Sequence, residues 1–232
     1  MNTTAKWIDI DGDDGKFGAW LTLPRGGSGP GIVLLQEIFG VNEHIRAVAA
    51  QYAADGYVVL APDLFWRDGA RIELGYDDAG WAEAVKLMNA TDVAKAVADI
   101  GHTVRTLRAL PAVTGRVASL GFCFGGRLSY LSTARGLVDV GVAYYGGGIH
   151  NQLAADGQVE RPLLMHFGAA DSHIPPAAVT QIADHFDANE QVEIHVYENA
   201  EHGFNCNHRA SYQQRAAAQA HGHTLVFLGE QL

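Results

Sequence analysis

Gly121-Phe122-Cys123-Phe124-Gly125-Gly126 is the stretch on which the reading of this chain turns. It follows the apolar run Arg116-Val117-Ala118-Ser119-Leu120 and opens onto Gly126-Arg127-Leu128-Ser129-Tyr130, so a strand passes straight into a helix. So sharp a reversal crowds backbone against backbone, and glycine at 121 and 125 removes two Cβ atoms that would clash. The residue at the centre is lifted above the carboxyl edge of a sheet, at a helix amino terminus. There a thiol pKa falls and anions are favoured. Cys123 reads as a nucleophile, although the pattern alone also fits a buried thiol filling a glycine-rich turn.

Outward from this turn, short apolar runs alternate with helix-patterned segments. The strand candidates are Phe17–Leu23, Gly31–Gln36, Tyr57–Ala61, Arg116–Phe122, Val140–Tyr145, Pro162–Phe167 and Val192–Glu198. Most central ones are continuously apolar, as strands covered on both faces are. Helices are expected at Glu43–Ala54, Asp92–Leu110, Gly126–Arg135, Pro176–Phe186 and Ser211–Leu228. The second of these carries Val93, Val97, Ile100, Val104 and Leu107 on one face and is closed by Pro111. Such alternation implies right-handed βαβ crossovers and a mainly parallel sheet after a more antiparallel start. Residues 63–91 read as one long irregular connection, a candidate lid or pocket wall. With no repeat and no low-complexity linker, residues 1–232 read as a single α/β domain.

Composition narrows the function. Hydrophobic residues make up 48% of 232 and charged residues 18%, which excludes a disordered polyelectrolyte. The formal charge of −10, without a basic run, argues against a nucleic-acid or anionic-membrane partner. Two cysteines, Cys123 and Cys206, are too few for a disulfide framework. No apolar stretch approaches the ~18 residues of a membrane span, and the amino terminus lacks a signal-peptide pattern. A cytoplasmic protein is expected.

A nucleophile on such a turn needs an acid and then a histidine, in that chain order. Asp171 follows the strand Pro162–Phe167 through Gly168-Ala-Ala, and His202 follows Val192–Glu198 within Asn199-Ala-Glu-His-Gly-Phe. Both lie at carboxyl ends of strands, on the edge where open α/β sheets bind ligands. With 11 histidines in the chain, one falling after a strand is unremarkable, and an aspartate before a helix is often a cap. Order and placement together favour the triad.

At this point the chain resembles the dienelactone hydrolase family, within the three-layer α/β-hydrolase fold. The resemblance lies in Gln36-Glu-Ile-Phe-Gly-Val-Asn42, Ala61-Pro-Asp-Leu64, Gly121-Phe-Cys-Phe-Gly-Gly126, Tyr144-Tyr-Gly146, Gly168-Ala-Ala-Asp171 and Glu201-His-Gly-Phe204. It implies a Cys123–His202–Asp171 triad, with Glu37 pairing with the resting cysteine and taking up its proton when substrate binds. The backbone N–H groups of Ile38 and Phe124 are the candidate oxyanion hole. The implied reaction is hydrolysis of an enol lactone or carboxylic ester through a thioester, with no cofactor, in a monomer or small homo-oligomer. A thiolate leaves a tetrahedral intermediate more readily than an alkoxide, so a stabilised enolate suits it as leaving group.

The sequence departs from the family where two arginines would hold a substrate carboxylate: those places carry Trp81 and Cys206. Arg67, Arg71 or Arg209 could substitute from nearby loops. Trp81, Val85 and Met88 read either as an apolar pocket wall or as plain helix packing, and Phe39, Tyr145 and Cys206 are the further pocket candidates. The string His202, Cys206, His208 has zinc-like spacing but no evident fourth ligand, so no metal is expected. His221 and His223 are expected near the last helix, without chemistry. Two alternatives remain: an esterase or thioesterase for a neutral substrate, and a non-catalytic thiol redox or binding protein on the same fold.

Overall fold

A computed structural model describes residues 4–153 and 159–232. Residues 1–3 of the amino-terminal stretch read above lie outside it. Eight strands form one sheet: β1 (Thr4–Asp11), β2 (Lys16–Leu23), β3 (Gly29–Leu35), β4 (Val58–Pro62), β5 (Val113–Phe122), β6 (Val140–Tyr144), β7 (Leu163–Gly168) and β8 (Val192–Tyr197). Their order is β1-β2-β4-β3-β5-β6-β7-β8, and β2 alone runs against the other seven. Helices cover both faces, giving the three-layer α/β-hydrolase architecture. They are α1 (Glu43–Ala54), α2 (Asp78–Ala90), α3 (Val93–Ala109), α4 (Phe124–Ala134), α5 (Pro176–Phe186) and α6 (Gln214–Gln231).

The apolar runs become the sheet because they have two faces to bury. Ile32, Val33, Leu34 and Leu35 of β3 and Val58, Val59 and Leu60 of β4 are fully buried. On α3 the stripe Val97, Ile100, Val104 and Leu107 is buried, each side chain contributing about 1.5–3 kcal/mol. Asp92 caps this helix by accepting from the N–H groups of Ala94 and Lys95.

Two elements differ from expectation. β1 has no counterpart among the sequence candidates: at the edge of the sheet only Ile10 is buried, so the strand shows little apolar pattern. The segment 63–91 is not irregular throughout, because α2 occupies its second half. Only Gly80, Ala84 and Leu87 of that helix are buried, which leaves a faint stripe, and Asp77 caps it through Gly80 N–H.

One buried polar network ties α6 to the sheet. His166 on β7 meets Thr224 Oγ1 at 2.9 Å and Tyr197 Oη at 2.8 Å, and Thr224 also meets Tyr144 Oη at 2.7 Å. Burial pushes the His166 pKa well below 6.5, with His195 and His223 adding repulsion. Since the folded pKa is depressed, this histidine favours the fold above pH 6.5, and its contribution is lost as the pH falls. Burial drives His44, His221 and His223 the same way. The thermal midpoint is therefore expected to fall between pH 7 and 5, and less steeply in His166→Gln. Parallel slopes in calorimetry would remove His166 from this account.

Candidate active site

β3, β5, β7 and β8 run parallel, so their carboxyl ends share one edge of the sheet. That edge carries Glu37, Cys123, Asp171 and His202. Cys123 stands between β5 and α4 with φ 54° and ψ −114°, a left-handed backbone that a side chain rarely adopts. Strain of this kind costs on the order of 1–3 kcal/mol and must be held by its surroundings. Those surroundings are glycine. A Cβ at Gly121 would sit 2.0 Å from the Gly125 carbonyl oxygen, and one at Gly125 would sit 2.4 Å from that of Leu35.

Nε2 of His202 lies 3.1 Å from Cys123 Sγ, and its Nδ1 donates to Asp171 Oδ2 at 2.8 Å. The other oxygen of Asp171 accepts from the N–H groups of His173 and Ile174 at 2.8 and 2.9 Å, which fixes the carboxylate. Burial alone would lower the His202 pKa. The charge interaction with Cys123, the hydrogen bonds to Asp171 and Cys123, and the Asp171 charge together exceed it and lift the imidazole to about 10. Sulfur, imidazole and carboxylate thus stand in sequence, each within hydrogen-bond reach of the next.

Glu37 is also at this edge, but its partners differ from expectation. Its carboxylate accepts from Tyr76 Oη at 3.0 Å and Arg209 Nη1 at 3.3 Å, while Cys123 is engaged by His202. Arg209 lies within 6 Å of the rings of Phe39, Tyr76 and Trp81; burial pulls its pKa down, but Glu37 together with Tyr145, Cys123 and Cys206 raises it on balance. Neither Tyr76 nor this pairing was legible, since both partners reach Glu37 from distant loops. Glu201 is a second addition: its carboxylate accepts from the N–H groups of Ser172 and His202, joining the acid and histidine loops.

A cavity of about 450 Å³ opens over Cys123 and His202. Ile38 and Phe124 line it, and Phe124 opens α4, where first-turn N–H groups have no acceptor within the helix. Trp81, Val85 and Met88 give it an apolar wall, while Arg127, His150, Asn151 and His173 add polar side chains. Three pocket candidates lie behind rather than in it. Phe39 packs on Tyr76 and Trp81, and Tyr145 is fully buried with its ring 5.2 Å from that of His202. Cys206 is tucked in by a turn, its N–H donating to Gly203 O, and burial lifts its thiol to about 11. Of the candidate substitute arginines, Arg67 pairs with Asp99 and Asp14, and Arg71 stacks on Trp7.

The string His202, Cys206, His208 does not come together as a ligand set among the described residues, and His202 contacts Asp171 and Cys123. Among the described residues the set that could ligate an ion is Glu37, His44 and Cys206, with ligand atoms within 4.8 Å of one another. Binding there would compete with Arg209 and Tyr76 for Glu37. His221 and His223 both sit on α6, paired with Asp55 and Tyr197. Both cysteines are free. No helix among the described residues is long and apolar enough to cross a membrane.

The sequence model of the dienelactone hydrolase family matches residues 17–232. The chain belongs to the dienelactone hydrolase family. It is 37% identical over 223 residues to the carboxymethylenebutenolidase of Pseudomonas putida, covering 95% of this chain and 94% of that one. With the carboxymethylenebutenolidase of Pseudomonas sp. strain P51 the identity is 36% over 229 residues, covering 98% and 95%. A Klebsiella pneumoniae protein of known crystal structure, named as a dienelactone hydrolase, superposes with a TM-score of 0.86 at 27% identity, over 99% of both chains. This dienelactone hydrolase family member is thus a hydrolase of that kind in fold and sequence.

Proposed function

We propose that this dienelactone hydrolase family member cleaves an enol lactone or activated carboxylic ester by thiolate attack, using Cys123, His202 and Asp171 on one α/β domain. The observation carrying this reading is the aligned Cys123–His202–Asp171 contact. The Cys123 thiolate adds to the carbonyl, whose oxyanion is received by the N–H groups of Ile38 and Phe124. Collapse releases the enolate, which takes a proton from the His202 imidazolium, and leaves an acyl thioester on Cys123. His202 then removes a proton from water as the water attacks the thioester. Collapse expels the thiolate and restores the ion pair. Asp171 holds the ring orientation throughout. Glu37 takes no proton in this cycle, because the sulfur that attacks is already the thiolate paired with His202; its carboxylate, held by Arg209 and Tyr76, borders the site. A thiolate that must stay reduced fits the cytoplasm.

Enol and alkyl esters of one acid test the reading. Rapid quenching and peptide mass analysis are expected to show the acyl group on Cys123, with the enol ester turned over faster by at least about tenfold. Equal turnover without an acylated Cys123 would sink the mechanism.

A further inference from the structure

Arg127 lies one helical turn beyond the nucleophile. Its N–H donates to the Cys123 carbonyl at 3.1 Å, so the two Cα atoms are about 6 Å apart along α4. Its side chain lines the cavity over Cys123 and passes 5.3 Å from the Phe124 ring. Among the described residues no carboxylate pairs with it, and its Nε is buried without an acceptor. Arg46, Arg67, Arg108 and Arg209 each face an acid instead. Burial lowers the Arg127 pKa, and Cys123 is the charge that counters this.

An unpaired, half-buried guanidinium is costly, and it calls for an anion that the chain does not supply. No aspartate or glutamate lines this cavity. The surrounding backbone leaves room for a guest. Gly148 has φ 84° and a Cβ there would lie 3.4 Å from Arg127 Nη1, while a Cβ at Gly147 would meet nothing within 4 Å. His150 lines the same cavity with its Nδ1 buried and unpartnered. The remaining wall, at Trp81, Val85 and Met88, is apolar.

We infer that Arg127 anchors a carboxylate on the acyl portion of the substrate, separated from the reacting carbonyl by a short hydrocarbon segment lying on Trp81 and Met88. The inference rests on Cys123 being the hydrolytic centre. Arginine suits the task because its planar fork meets both carboxylate oxygens. The implied substrate class is a monoanionic half-ester or carboxylate-bearing lactone. Its anion binds beside the nucleophile helix, on the α4 and Gly147–Gly148 side.

The test uses the vinyl half-ester of glutaric acid and its methyl-capped counterpart, both read by acetaldehyde release. In Arg127→Met the ratio of kcat/KM for the acid over the capped ester is expected to fall about 10- to 100-fold, chiefly through KM. Arg127→Lys is expected to keep part of the preference. An unchanged ratio in Arg127→Met overturns the inference. Titration calorimetry with monomethyl glutarate in Cys123→Ala, alone and with Arg127→Met, separates it from the hydrolytic reading. Binding weakened at least about tenfold by Arg127→Met supports the anchor even if wild type hydrolyses neither ester. Equal binding, or none in either protein, overturns it.

Discussion

Cys123→Ala is expected to lower kcat for an enol ester by at least about 10³-fold, to a rate set by binding and the oxyanion donors alone. The substitution also removes the charge that does most to raise the His202 pKa. In an NMR titration the imidazole of the variant should therefore lose its proton well below the value of about 10 held in the intact site. The sign matters for stability. A histidine whose folded pKa is raised favours the fold most below pH 6.5, and that contribution disappears as the pH climbs toward about 10. The variant should lack this alkaline loss. Cys123→Gly sharpens the point, because glycine accepts φ 54° without strain and should raise the thermal midpoint while activity stays abolished. Wild-type turnover in Cys123→Ala would dismiss the triad outright.

Gly125→Ala is expected to cost more than about 3 kcal/mol or to prevent folding. The added methyl would lie 2.4 Å from Leu35 O and 2.5 Å from Gln36 O, both backbone atoms at the end of β3. No rotamer relieves that clash. The only relief is to part β3 from α4, which breaks the bond from Gly125 N–H to Gln36 O at 3.0 Å. Gly26→Ala supplies the contrast: a Cβ there meets nothing within 4 Å, so a change within about 0.5 kcal/mol is expected. Urea unfolding of the two variants measures the difference. Equal midpoints would mean that β3 and α4 do not meet as described.

The parts of the fold that sequence shows are those where physics leaves one option. A run such as Ile32–Leu35 must be covered on both faces, and glycines around a single central cysteine admit only the sharp turn. Order along the chain then brings Asp171 and His202 to the edge that Cys123 occupies, because parallel strands end together. Edge strand β1 and the lightly buried α2 lack a comparable pattern. Partner choice is harder still. The pairing of Glu37 with Arg209 spans 172 positions and depends on Gly203, where a Cβ would strike the guanidinium at 2.4 Å. Arg127 carried one overlooked signal, its spacing of four from the nucleophile on the same helix.

Glu201 gives the site a mechanical property. One carboxylate oxygen grips Ser172 N–H at 2.6 Å, Ser172 Oγ at 3.1 Å and its neighbour His202 N–H at 2.7 Å. The loop after β7 and the loop after β8 are thereby yoked, and Asp171 and His202 travel together. Thermal motion that carries one carries both, so the imidazole keeps its tilt relative to its acid. The soft coordinate is then the distance from this paired unit to the sulfur, the line along which a proton would pass in the proposed reaction.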